Sequence, residues 1–177
     1  MPKQIITLVS VGGLYFALIL LLRNFFSLEH LAFVVGGLVG IYVPYLDSVI
    51  YVYALRPHEV SSQRVANMVA QSKIGQAAEF ISRTNSERSK LVFHSALFQS
   101  IFAIFAFFVM SSSSNQLGRG LVLGFLLHYV VLQGSELVKG HTLSGWFSDL
   151  HISLTQQASL FYWLIHFGFV VLLGLNF

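Results

Sequence analysis

The sequence lacks cysteine and contains few charged side chains. None of its 177 residues is cysteine, which excludes disulfides and thiolate metal sites. Charged residues make up 10% of the chain and hydrophobic residues 55%, whereas soluble domains carry about 25% charged residues. This deficit is too large for a soluble fold of this size, so the composition indicates an integral membrane protein.

Acidic side chains are fewer than basic ones, seven against ten, and the formal net charge is +3. In a chain with a mean hydropathy of +0.74, we attribute this excess to basic loops at the cytoplasmic surface. Such loops attract anionic lipid head groups, at about 1 kcal/mol per Lys or Arg. We therefore expect membrane lipids as partners and no nucleic acid, and the oligomeric state stays open.

Five apolar stretches are long enough to cross a bilayer, whose core of about 30 Å needs about 20 helical residues. In lipid only a helix closes its backbone hydrogen bonds within one segment, so we predict one all-α membrane domain over residues 1–177. We expect the first stretch to be retained, because it is longer than the apolar part of a signal peptide. The predicted spans are 5–22, 31–53, 91–110, 120–138 and 158–175.

The positions of Lys and Arg predict the orientation of the spans. Eight basic residues fall on one side and only Arg23 and Arg119 on the other. The positive-inside rule then places the N-terminus in the cytoplasm and the C-terminus outside, in the cell (inner) membrane. Trp146 and Phe147 are predicted as anchors at the inner interface. The eight are Lys3, Arg56, Arg64, Lys73, Arg83, Arg88, Lys90 and Lys139.

The longest connection has apolar residues at helical spacing over about 60–82. This pattern predicts one amphipathic helix, with a potential break near Gly75. Two placements stay open and are compatible: the helix lies on the cytoplasmic lipid interface, or it packs on the inner end of the bundle. The segment 58–90 is also a candidate surface for a protein partner.

One acid and three imidazoles lie inside the apolar runs. Asp47 is the only charged residue in the stretch 31–53, and a carboxylate at membrane depth costs on the order of 3 kcal/mol. His94, His128 and His166 lie in three other runs. At 1.5 Å per residue, all four lie roughly 5–15 Å below the inner surface, so we expect them in one site.

These residue types favour metal chemistry. Neutral imidazole and carboxylate bind Zn²⁺, Mn²⁺ or Fe²⁺, and Asp47, His94 and His128 are the predicted ligands. A divalent metal held by three ligands keeps an open position and makes hydroxide near neutral pH. A lipid ester or phosphate is the expected substrate. His166 is better explained as a packing histidine bonded to a backbone carbonyl.

Three more residues are candidates for catalysis. Glu87 or Glu136 is the predicted base, and Arg88 is expected to orient a phosphate head group. Glu136 has a simpler interpretation as a surface pair with Lys139, three residues on.

Small residues and a proline mark the second and fourth spans. Gly36-x-x-x-Gly40 and Gly120-x-x-x-Gly124 place glycines on one helix face, which favours close packing between helices of this chain over dimerisation. Pro44 cannot donate to the carbonyl of Gly40, so we expect a kink next to Asp47.

Three segments resemble the YdjM-like inner-membrane predicted metal-dependent hydrolases. Pro44-Tyr45-Leu46-Asp47 is similar to the Pro-Asp-x-Asp segment of that family, with Tyr45 in place of its first Asp. The segment 87–95, which ends in His94-Ser95, resembles the His-Arg…Thr-His-Ser segment, with Glu87 for its first His and Phe93 for its Thr.

The third segment, Gly124 to His128, is similar to the family's Gly-x-x-x-His-x-x-x-Asp, with Leu132 in place of the final Asp. The resemblance covers roughly residues 31–148 and implies a metal-dependent hydrolase acting at the membrane. The missing acids leave a second hypothesis open: a catalytically inactive scaffold or assembly factor that kept the fold. A third, a small transporter or proton relay, is disfavoured because five spans without a repeat are atypical of transporters.

Overall fold

The computed structural model describes residues 3–24, 27–84 and 92–176, and within them every regular element is helical, as predicted. Short 3₁₀ turns cover Val43–Tyr45 and Leu143–Leu150, and a π-helical turn covers Tyr51–Leu55. The α-helices are α1 Lys3–Leu22, α2 Leu28–Tyr42, α3 Leu46–Ile50, α4 Val60–Ala70, α5 Ile74–Arg83, α6 Ala96–Ser112, α7 Gln116–Val138 and α8 Gln156–Asn176.

Three helical runs of the described chain are long and apolar enough to cross a membrane. They are His30–Leu55, Gln116–Val138 and Gln156–Asn176. Ile6–Leu22 in α1 and Ala96–Ser112 in α6 are shorter apolar helices. Each of the five predicted spans therefore coincides with an apolar helix, and three of these helices have the length that a bilayer requires.

Helices α2 and α7 pack most extensively, through the predicted small-residue motifs. A Cβ atom at any of four glycines would overlap a backbone oxygen of the other helix, so only glycine allows this approach. Residue numbers rise together along the two helices, which are therefore parallel. The pairs are Gly36 with Leu117, Gly40 with Leu121, Gly120 with Phe33 and Gly124 with Gly37. The prediction of intramolecular packing is confirmed.

The other long helices surround this pair. In α1, Phe16 contacts Gly37 and Gly12 contacts Ile41, so α1 runs antiparallel to α2. Helix α8 is joined to α1 and α7 by side-chain hydrogen bonds to the carbonyls of Val170, at 2.6 Å, and Val130, at 2.8 Å. Helix α6 packs on α7 through Phe102 and Phe125, whose ring centroids are 4.2 Å apart. The apolar core lies between these helices.

The segment predicted as one amphipathic helix forms two, and the break lies near Gly75, as expected, at residues 71–73. Helix α4 ends at Ala70 and α5 begins at Ile74. Ser72 between them has a positive φ of 59°, which reverses the chain into a hairpin. Val65 of α4 and Ala77 of α5 are buried with Val52 of the π turn, so the hairpin is anchored to the end of the second apolar run.

Candidate functional site

Asp47 is fully buried in the first turn of α3 and accepts four hydrogen bonds. Its Oδ1 accepts from the backbone N–H of Val92 at 2.9 Å. Its Oδ2 accepts from the backbone N–H groups of Phe93 at 2.9 Å and His94 at 3.3 Å, and from the His94 ring. Both oxygens of this carboxylate thus hold the turn that precedes α6.

This turn explains why α6 begins at Ala96 and not near residue 91, where the third span was predicted to start. Ser95 is the N-cap of α6, and its side chain accepts a hydrogen bond from the N–H of Phe98 at 3.2 Å. The donors upstream of this cap bind Asp47. The anionic carboxylate therefore joins α3 to the start of α6 across 45 positions of sequence.

The His94 ring is oriented by Asp47. Its Nδ1 lies 2.9 Å from Asp47 Oδ2, and because an ionised carboxylate only accepts, Nδ1 carries the proton. In a neutral ring, Nε2 then presents a lone pair. The predicted association of Asp47 with His94 is thus present, with the acid acting on the imidazole and on the backbone.

His128 is held in a similar way by a backbone carbonyl. Its Nδ1 donates to the Ile41 oxygen at 2.9 Å, next to Gly40, whose carbonyl was expected to be freed by Pro44. The side chain is 2% exposed, and its Nε2 is buried without a hydrogen-bond partner among the described residues. The His94 and His128 ring centroids are 6.0 Å apart.

Aromatic rings that the sequence analysis did not assign to the site enclose the two imidazoles. Tyr45 stands edge-on to His128 with centroids 5.1 Å apart. Trp146 lies 5.6 Å from His94 and 5.5 Å from Tyr129. Trp146 is only 9% exposed, so its prediction as an interfacial anchor is wrong: the 3₁₀ turn directs it into the bundle.

A buried amide pair, Gln99 and Gln133, extends the polar region. Gln133 Nε2 donates to Gln99 Oε1 at 2.7 Å, and the Tyr162 hydroxyl donates to the same oxygen at 2.9 Å. The contact links α6, α7 and α8. Amides inside apolar runs were the available signal, because such groups are costly in lipid unless they are paired.

Glu136 and His166 lie apart from this centre. Glu136 binds Lys139 Nζ at 2.7 Å and His141 Nδ1 at 2.8 Å, which is the surface pairing offered as its alternative. His166 Nδ1 donates to the Tyr162 carbonyl at 3.0 Å, as expected for a packing histidine. Glu87 and Arg88 lie outside the described residues.

A partly open pocket of about 180 Å³ begins at His128 and follows α7 towards Lys139. Tyr45 and Leu132 line it together with His128. The pocket wall next to His128 therefore carries a phenol and an isobutyl group, and no Asp or Glu is among its lining residues.

The described residues do not assemble the predicted three-ligand metal site. No group of three His, Cys, Asp or Glu side chains within 3–24, 27–84 and 92–176 is arranged to hold a metal ion. Asp47 already accepts four hydrogen bonds, and no Asp or Glu is among the residues that line the pocket beside His128. The donors of the described residues therefore fall short of a three-ligand site for Zn²⁺, Mn²⁺ or Fe²⁺, and the metal stays a prediction.

Comparisons with protein-family models, curated proteins and solved structures give no match for this chain.

Proposed function

We propose that the protein is a non-catalytic membrane scaffold or assembly factor, which presents the α4–α5 hairpin at the cytoplasmic surface of the cell (inner) membrane. The observation that carries this proposal is the bonding of Asp47. Its carboxylate is consumed by three backbone N–H groups and one imidazole. An acid used in this way stabilises the bundle and leaves little capacity to bind a metal.

Tyr45 and Leu132, which correspond to acids in the YdjM-like segments, support the same function. Tyr45 and Leu132 make the pocket beside His128 largely apolar, and a divalent cation in such a place would lack the charged oxygens that compensate for its lost hydration.

The parallel packing of α2 and α7 supports five spans. If α2 and α7 cross the bilayer in the same direction, the chain between them has to cross back once. Helix α6 is the apolar helix between them in the sequence. Its 17 residues are about 26 Å long, close to the thickness of the hydrocarbon core. The antiparallel contact of α1 with α2 is consistent with a first crossing by α1.

The orientation has support from the two basic residues assigned to the outer side. Burial and the nearby Arg119 guanidinium lower the pKa of Arg23, so these two cations lie at the same end of the bundle. The hairpin follows the opposite end of the second run, which is the cytoplasmic end in the proposed orientation.

Metal content of the detergent-purified protein tests the proposal. The protein is expressed with added Zn²⁺, Mn²⁺ or Fe²⁺ and analysed by elemental mass spectrometry beside His128→Ala. We expect substoichiometric metal in both, because the described side chains offer no three-ligand site. One metal ion per chain that disappears in His128→Ala would refute the scaffold assignment.

A co-purification assay tests the scaffold role directly. Deletion of the hairpin between Pro57 and Thr84 is expected to abolish co-purification of whatever protein the intact chain retains, while Asp47→Ala lowers the amount of folded protein. If the deletion leaves co-purification intact, the hairpin is not the surface that the scaffold presents.

One observation favours the second candidate, a metal-dependent hydrolase acting on a membrane lipid ester or phosphate. Both His94 and His128 donate through Nδ1 to fixed acceptors, an arrangement typical of histidines whose Nε2 binds a metal. Hydrolysis of a lipid ester or phosphate by the purified protein, lost in both His128→Ala and His94→Ala, would favour this candidate.

A further inference from the structure

The α4–α5 hairpin contains an open groove of about 410 Å³. Two cationic side chains line it, Arg64 and Lys73, together with four carboxamides: Gln63, Asn67, Gln71 and Gln76. No acidic side chain is among its lining residues. The groove is therefore suited to an anion that also carries groups able to donate and accept hydrogen bonds.

The two cations are positioned by their neighbours. The Arg64 guanidinium lies 4.9 Å from the centroid of the Phe80 ring, a cation–π contact that orients it without neutralising its charge. Lys73 Nζ donates to Gln71 Oε1 at 2.8 Å and keeps two further N–H donors. A phosphate would receive charge-assisted hydrogen bonds from both side chains.

Aliphatic side chains beside this polar groove point to lipid. Val60, on the groove wall, is 82% exposed, and Ile74, at the start of α5, is 68% exposed. The hairpin is tied through Val65 to Val52 in the π turn that ends the second apolar run. It therefore lies close to the bilayer surface, where exposed aliphatic groups enter the interface.

We propose that this groove binds the head group of an anionic phospholipid with free hydroxyls, of the phosphatidylglycerol type, in the inner leaflet. Arg64 and Lys73 bind the phosphate, and the carboxamides hydrogen-bond the glycerol hydroxyls. The inference rests on the proposed membrane placement and adds a lipid class to it. The exposed aliphatic side chains favour a lipid over an acidic peptide, because they can contact acyl chains at the bilayer surface, whereas a charged peptide gains nothing from them.

The test measures lipid binding to the full-length, detergent-purified protein by native mass spectrometry. Phosphatidylglycerol and phosphatidylcholine with the same acyl chains are titrated against wild type, Arg64→Gln, Lys73→Gln and the double variant. We expect phosphatidylglycerol affinity to fall about fivefold for each charge removed and phosphatidylcholine to bind weakly throughout. Arg64→Lys is expected to retain most of the affinity.

Arg56→Gln is the matched control. It removes one exposed cation from the same segment, but Arg56 lies outside the groove and is 3.9 Å from Glu59, so affinity should not change. The proposal is overturned if wild type and the double variant bind phosphatidylglycerol equally, or if wild type binds the two lipids equally. It is also overturned if inorganic phosphate or a glutamate-rich peptide displaces phosphatidylglycerol as well as phosphatidylglycerol itself does. The lipid-binding variants do not change the histidines. The result of the lipid assay is therefore independent of the result of the metal assay.

Discussion

The Asp47 carboxylate accepts hydrogen bonds from three consecutive backbone N–H groups and one imidazole. The N–H groups precede the N-cap of α6, where they have no helical acceptor. An ionised side chain is costly at membrane depth unless such donors surround it. The acid, which first suggested a metal site, thus has a sufficient structural role in joining two segments of the bundle.

Asp47→Asn should therefore destabilise the protein strongly. The amide keeps one acceptor oxygen but turns its NH₂ group towards backbone donors, so we expect a loss of about 3 kcal/mol or more, because each buried donor left without an acceptor costs about 1–3 kcal/mol. Thermal unfolding in detergent measures the change. Glu136→Gln, which removes a partly exposed acid, should cost less than about 1 kcal/mol; equal shifts would contradict the role assigned to Asp47.

Helices α2 and α7 contact each other through glycines that lie against backbone oxygens. In lipid there is little hydrophobic gain from bringing helices together, so close van der Waals packing becomes the main source of stability. The parallel contact also places Ile41 opposite His128 and thereby positions the buried imidazole. The small-residue interface and the candidate site consequently depend on one register.

Gly124→Ala tests this interface. Its added methyl group would overlap the Gly37 oxygen, and a shift of the helices should cost about 1–3 kcal/mol or more. Gly168→Ala is the control, because a Cβ atom there has no neighbour within 4 Å. Lower thermal stability is expected for Gly124→Ala only. If Gly124→Ala is as stable as wild type, the two helices are not in this contact.

The whole bundle is organised by the direction in which each helix runs. A parallel α2–α7 pair, an antiparallel α1 and a three-residue link between α6 and α7 are together consistent with alternating crossings. In the proposed orientation, residues 113–115 are outside, whereas the hairpin and residues 139–155 are in the cytoplasm.

The absence of cysteine makes this arrangement testable by labelling. Ser114→Cys and Ser148→Cys introduce single thiols at exposed positions of the two opposite loops. A membrane-impermeant maleimide should label Ser114→Cys in intact cells, and Ser148→Cys only after permeabilisation. Labelling of both variants in intact cells would contradict five alternating spans.

Composition and hydropathy were sufficient to predict an all-helical fold with apolar helices, because burial in lipid requires long apolar runs with closed backbone bonds. The glycine motifs likewise predicted packing within the chain. The exact helix boundaries were harder to predict from the sequence. The hairpin break depends on the backbone at Ser72, and the start of α6 depends on a carboxylate 45 positions away.

The candidate site shows the same division. Apolar runs interrupted by Asp47, His94 and His128 indicated from local sequence that these residues would be drawn together, because polar groups in lipid require partners. Whether the acid would bind a metal or a backbone turn depended on contacts between distant segments. Folding brings the Val92–His94 donors to Asp47, and Tyr45 and Leu132 to the pocket beside His128, because helix register sets which side chains meet, and no local pattern encodes it.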